Sequence, residues 1–146
     1  MNFYTINTSY QFYVDEIRLA TFSQSNCGTD TYEPNQTIYT APTLYLNLNN
    51  PGLICPAGDE DWYSFTTTAE YPNIRIRLTS LPADYDLYLY NANGVAIDSS
   101  KNSYNYEEKI IRNTLYAGTY RIRVKGYLNA THASDTYLVK VETSTA

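Results

Sequence analysis

The chain has 146 residues, 43% of them apolar, with a formal net charge of −5 and 17 tyrosines. That length suits one domain with a real core, and the apolar share excludes a disordered chain. The acidic balance argues against general nucleic-acid binding, and no apolar run approaches the ~20 residues that span a bilayer.

Residues 1–22 read as strand. Phe12 and Val14 share one parity, Ile17 and Leu19 the other, and the switch at Asp15-Glu16 marks a bulge or bend. With Tyr10, these side chains carry enough apolar surface to demand a partner. Pairing with a neighbouring domain or a second copy is expected, with an edge position in the chain's own sheet as the alternative. Met1-Asn2-Phe3-Tyr4 lacks the basic start and apolar core of a signal peptide, so an exported form is expected to be a mature or excised piece. Thr21 to Gly28 is polar and reads as a linker. The division expected is therefore a strand and linker over 1–26 and a domain over 27–146.

From there the chain is a run of short strands separated by turn signals, the pattern of an all-β antiparallel sandwich. Thr43–Leu48 is expected as a strand with Leu44, Leu46 and Leu48 on one face, broken by Asn49-Asn50-Pro51-Gly52. Trp62–Thr67 follows. In Asn73–Ser80, Ile74, Ile76 and Leu78 face one way and Arg75 and Arg77 the other. Tyr85–Tyr90 alternates Leu87 and Leu89 against Tyr88, and Asn91-Ala92-Asn93-Gly94 signals a hairpin. Val95–Ile97 is short, Asp98–Asn105 a polar loop, and Tyr106–Arg112 another strand. In Thr119–Lys125, Tyr120, Ile122 and Val124 face in while Arg121, Arg123 and Lys125 face out. Tyr137, Val139 and Val141 close the sheet. No long stretch has a 3.6-residue period, so at most one helical turn is expected, near Ile38–Ala41.

Two stretches are acidic: Asp30-Thr31-Tyr32-Glu33-Pro34-Asn35 and Gly58-Asp59-Glu60-Asp61-Trp62-Tyr63-Ser64-Phe65. Consecutive carboxylates repel unless something neutralises them. A rigid acidic turn suits a hard cation with oxygen ligands, above all Ca²⁺. The plainer reading is a pair of solvated turns, since Asp, Asn, Gly and Pro are ordinary turn formers. Each stretch has a cysteine nearby, Cys27 and Cys55. Either they form a disulfide, stapling one stretch to the other in an oxidising compartment, or they are buried free thiols; the Gly- and Pro-rich loops around them favour the disulfide. Asn7, Asn35 and Asn129 each open an N-glycosylation triplet, a pattern too short to carry weight.

Four blocks, in order, resemble the bacterial pre-peptidase C-terminal domain and, more distantly, the collagen-binding domain of clostridial collagenases. They are the two acidic stretches, Leu81-Pro82-Ala83-Asp84-Tyr85-Asp86-Leu87-Tyr88-Leu89-Tyr90-Asn91, and Ala117-Gly118-Thr119-Tyr120-Arg121-Ile122-Arg123-Val124. The resemblance runs from Cys27 to the end. It implies a jelly-roll-type β-sandwich without catalysis of its own, in a secreted or cell-surface bacterial protein. In the collagen-binding relatives Ca²⁺ lies between the two acidic motifs. Carried over, that points to Glu33, Asn35, Asp59 and Asp61 as ligands, with Asp30 matching the motif. Collagen binding is not implied. Those relatives display a tyrosine-rich outer strand, where this chain has Arg121, Arg123 and Lys125, and only Tyr127 keeps an aromatic ring. Phe12 to Leu19 resembles the last strand of carbohydrate-binding jelly rolls.

Other chemistry has little support. His132 is the only histidine; it sits in an expected loop with no triad signature, and one histidine with two distant cysteines does not suit zinc. Asp84 and Asp86 look like a glycosidase carboxylate pair, but capping a turn or accepting from backbone amides explains them more simply. Arg75, Arg77, Arg121, Arg123 and Lys125 form a basic stripe if their strands are neighbours, a docking face for an acidic protein or polysaccharide; the alternative is pairing with Glu107 and Glu108 and edge protection. Two functions remain: a calcium-stabilised accessory module for binding or spacing, and a filament subunit whose residues 1–22 insert into a neighbouring copy.

Overall fold

The structure, a computed structural model, describes residues 26–113 and 115–146. The strand expected over 1–22, with its docking residues Tyr10, Phe12, Val14, Ile17 and Leu19, lies outside them. Eight strands are present among the described residues: β1 Asn50–Gly52, β2 Glu60–Thr67, β3 Asn73–Thr79, β4 Tyr85–Tyr90, β5 Ala96–Ser100, β6 Glu108–Arg112, β7 Gly118–Gly126 and β8 Tyr137–Ser144. They form two antiparallel sheets of four, ordered β1-β8-β3-β6 and β2-β7-β4-β5. The expected β-sandwich is therefore present. The expected helical turn appears as a 3₁₀ turn at Ile38–Thr40, capped by the Thr37 side chain, and a second 3₁₀ turn, not expected, follows at Tyr127–Asn129. No described helix is long and apolar enough to cross a membrane.

Alternation builds the core. Ile74, Ile76 and Leu78 from β3, with Val139 and Val141 from β8, line one inner face; Tyr63, Phe65, Leu87, Leu89, Ile122 and Val124 line the other, all nearly or fully buried. Each contributes about 1.5–3 kcal/mol by leaving water. Two edges are closed without a full strand. Backbone bonds from Leu44 N to Ser64 O (2.9 Å) and Ser64 N to Pro42 O (2.8 Å) cover the open side of β2. Arg112 spans the gap between β6 and β5, donating to Ile97 O at 2.9 Å and lying 3.6 Å from Asp98. Covered edges do not template pairing with other chains.

The segment before the acidic turn departs from the sequence reading. Thr43–Leu48 makes only a single bridge, Thr43 to Ser64. The chain turns at Asn47, whose φ is 62°, and the strand falls on the residues expected to break it, Asn50–Gly52. Asn50 explains the change. Its buried carboxamide donates to Tyr45 O, Leu48 O and Val139 O, so it closes the turn and docks β1 on β8. Asp98, Ser99 and Ser100, expected in a loop, extend β5.

The basic stripe does not form. Arg75 and Arg77 are on β3, whereas Arg121, Arg123 and Lys125 are on β7, in the other sheet. Arg75 pairs with Glu142 and Arg77 with Glu107. Glu108 instead turns inward and is fully buried.

Candidate functional site

Of Asp30, Glu33, Asn35, Asp59 and Asp61, which come from the two acidic stretches, the fold gathers Asp30, Glu33 and Asp61 around Asn35 and leaves Asp59 outside that group, on the adjoining cleft. A disulfide joins Cys27 to Cys55, with an S–S distance of 1.96 Å, and ties the two segments next to the site. Within the second segment, Asp59 Oδ2 accepts from Cys55 N at 3.0 Å. Gly58, with φ 89°, lets the chain reverse before Asp59. Asp30 is fixed through both oxygens: Oδ1 accepts from Tyr32 N at 2.8 Å and Oδ2 from Leu53 N at 2.9 Å. The peptide bonds Glu33–Pro34 and Cys55–Pro56 are cis.

Ligand-type oxygens of Asp30, Glu33 and Asp61 all lie within 4.8 Å of one another. Among the described residues, no Lys, Arg or His lines the adjoining cleft, which holds Asp30, Glu33, Gln36 and Asp59. Burial, followed by the charge of Asp59, holds Glu33 above the usual carboxylate range. Asp59 is raised mainly by burial. Asp61 is pushed up to about 9 by burial and its acidic neighbours, against the hydrogen bond from Tyr137. Without a counter-charge, these groups resist ionising together.

Asn35 sits fully buried among them. Turned one way, its carboxamide donates from Nδ2 to Asp61 Oδ1 at 3.1 Å and to Glu33 Oε2 at 2.6 Å. Turned the other way, it presents one more oxygen to both carboxylates, an arrangement that only a cation between them makes favourable. Its burial also removes it as a glycosylation position in the folded chain.

Asp61 faces two ways. Its Oδ2 accepts from Tyr137 Oη at 2.5 Å and Tyr63 Oη at 3.5 Å, and the two hydroxyls are 2.5 Å apart. Tyr63 is on β2 and Tyr137 on β8, so this carboxylate links both sheets to the acidic cluster. The tyrosines were not legible as site residues. Tyr137 lies 76 residues from Asp61, and strand filling accounts for any one of 17 tyrosines. Gln36 was also missed; it donates to Glu33 Oε1, and only its adjacency to Asn35 pointed to it.

The remaining candidates are elsewhere. His132 accepts at Nδ1 from Ser134 N and Asp135 N, a turn-closing role. On β7, Arg123 lies between Trp62 and Tyr88 in register, its guanidinium 5.4, 4.6 and 5.8 Å from the ring centroids of Trp62, Tyr88 and Tyr90. Lys125 stands between Glu60 and Asp86, and Arg121 between Ser64 and Tyr90. Asp84 does not cap its turn through Oδ1, which is buried without a partner. Tyr127 is half exposed beyond the end of β7.

Residues 59–126 match the family model described as the bacterial pre-peptidase C-terminal domain; the match takes in the second, third and fourth sequence blocks and leaves the first, at 30–35, outside it. Among solved structures, the chain is similar to the pre-peptidase C-terminal domain of a collagenase from Bacillus anthracis. The TM-score is 0.56 at 20% identity, covering 69% of this chain and 93% of that one. At that identity the likeness shows the fold. No curated protein matches the sequence.

Proposed function

We propose that this sandwich, of pre-peptidase C-terminal type, is a non-catalytic, calcium-stabilised accessory module of a secreted or cell-surface bacterial protein, serving to bind or to space other domains. The observation that carries the reading is the convergence of oxygen donors from two segments on Asn35, with no basic side chain among the described residues of the adjoining cleft. A donor set made only of carboxylates and a carboxamide matches a hard cation and not zinc. Asp30, Glu33, Asn35, Asp59 and Asp61 would hold the ion, which supplies positive charge and no chemistry of reaction. The disulfide supports an oxidising compartment.

The test is thermal melting of the whole chain in calcium and in chelator, with calorimetric titration of calcium. An ion that binds only the folded chain, present at 100 times its dissociation constant, adds about 2.7 kcal/mol. Melting should therefore move by several degrees. Identical melts with no titration heat would remove calcium from the proposal.

A further inference from the structure

A second acidic cleft lies apart from the first and does not depend on the calcium reading. Tyr85, Leu87 and Leu89 point into the core. The residues alternating with them, Asp84, Asp86 and Tyr88, therefore project from the outer face of their sheet. With the loop from Lys101 to Ser103 and Tyr127, they line a cleft of about 380 Å³.

Among the described residues, two carboxylates in this cleft are short of hydrogen-bond donors, although two ammonium groups lie near Asp86. Asp86 is only 6% exposed. Its pKa is pushed up to about 6 by burial and then by Asp84 and Glu108, while the ammonium groups of Lys101 and Lys125 pull it down. No hydrogen bond contributes among these influences. Asp84 Oδ1 is buried with no partner at all. Glu108 differs, since it accepts from Ser100 Oγ and Asn102 N. Buried acceptors are ordinarily satisfied, and a buried carboxylate without a donor is costly.

The surroundings define what would satisfy them. The only described group of three or more acidic, His or Cys residues converging closely enough to ligate a metal is the one around Asp61, so this cleft does not suit a metal ion. An organic cation both donates hydrogen bonds and rests on aromatic faces. The Tyr88 ring already carries the Lys101 ammonium at 5.7 Å and the Arg123 guanidinium at 4.6 Å from its centre, so the aromatic face left beside the carboxylates is that of Tyr127. Next to the cleft, Tyr127 is 54% and Leu128 84% exposed. Leu128 is held there with φ 51° and ψ 41°, a backbone region that branched side chains avoid. An apolar rim beside an acidic floor fits a peptide better than a free amine.

We propose that this cleft takes a lysine or arginine side chain of a partner polypeptide. The cation would rest on Asp84 and Asp86, the stem along Tyr127, and an apolar neighbour of the partner on Leu128.

The probes are acetyl-Leu-Lys-Leu-amide, its glutamine counterpart and n-butylamine, each titrated into the ¹⁵N-labelled whole chain at fixed calcium. The lysine peptide is expected to shift amides at 84–88, 101–103 and 127–128 saturably. The glutamine peptide and butylamine should bind at least tenfold more weakly. Asp86→Asn and Tyr127→Ala should each weaken the lysine peptide at least fivefold with the rest of the spectrum preserved. Equal binding of lysine and glutamine peptides overturns the proposal. So does butylamine binding as tightly as the peptide, which would make this an amine site, and so does displacement of the peptide by added calcium. If Asp86→Asn fails to fold, Tyr127→Ala decides alone, because its side chain is half in solvent; unchanged affinity in it overturns the proposal.

Discussion

At the proposed calcium site, Asp30, Glu33 and Asp61 point their oxygens at one another from different segments. At the second cleft, Asp84 and Asp86 stand side by side on one strand, with lysines and tyrosines around them. Both are acidic and partly buried, yet they suit different cations. Convergence from separate segments makes a small cage for an ion. Strand alternation makes a row about two residues long, which an extended organic cation can follow. The number of carboxylates does not decide the ligand; their directions and their neighbours do.

Replacing Asp61 should have the largest effect. Asp61→Ala leaves the Tyr63 and Tyr137 hydroxyls buried without their acceptor, and we expect a loss of about 3–4 kcal/mol in urea unfolding. Asp61→Asn sharpens the contrast, because its carboxamide still accepts from Tyr137 but carries no charge. In chelator it should be at least as stable as the parent, and in calcium it should lack the parent's calcium increment. A full calcium increment in Asp61→Asn would break the distinction between the two sites.

Reducing the disulfide comes next. Its cysteines are 28 residues apart, and a loop of that length corresponds to about 3.6 kcal/mol. Reduction should also weaken calcium binding, since it frees the two ligand segments from each other, and leave the lysine peptide unaffected. Two reactive thiols in the unfolded, unreduced protein would contradict the bond.

The smallest effect belongs to Asp86. Its folded pKa, about 6, lies above the ordinary carboxylate value, so the folded chain holds this proton more tightly than the unfolded chain. The group's contribution to stability therefore falls as pH rises from about 4 to about 6 and stays low above that. Asp86→Asn should gain about 1–2 kcal/mol above pH 7, allowing for water in the open cleft, and nothing below about pH 4. Parallel stability–pH curves for the two proteins would show that Asp86 does not carry this cost.

The strands with clean alternation were legible. Ile74-Arg75-Ile76-Arg77-Leu78 could be placed face by face because one side of β3 is wholly buried. The Leu44, Leu46 and Leu48 alternation misled for a physical reason: a side chain, that of Asn50, closes a turn that the hydrophobic pattern does not register. The two segments proposed to hold the ion were legible as acidic motifs, and their meeting was expected from the family resemblance. What strand assignments alone could not give was sheet order. Without it, whether Arg77 and Arg123 shared a face could not be decided, and nothing related Tyr137 to Asp61.

Gly52, in the edge strand β1, lies against the paired hydroxyls of Tyr63 and Tyr137; a methyl group at its Cα would run into both. Edge strands are ordinarily where chains absorb mutational drift. Here the edge is a keyhole: a residue that binds no ion and fills no core decides whether the two sheets can reach Asp61 together. Any side chain at this position would uncouple the acidic cluster from the sandwich while leaving every proposed ligand in the sequence, so inspection of the acidic motifs alone would miss the damage.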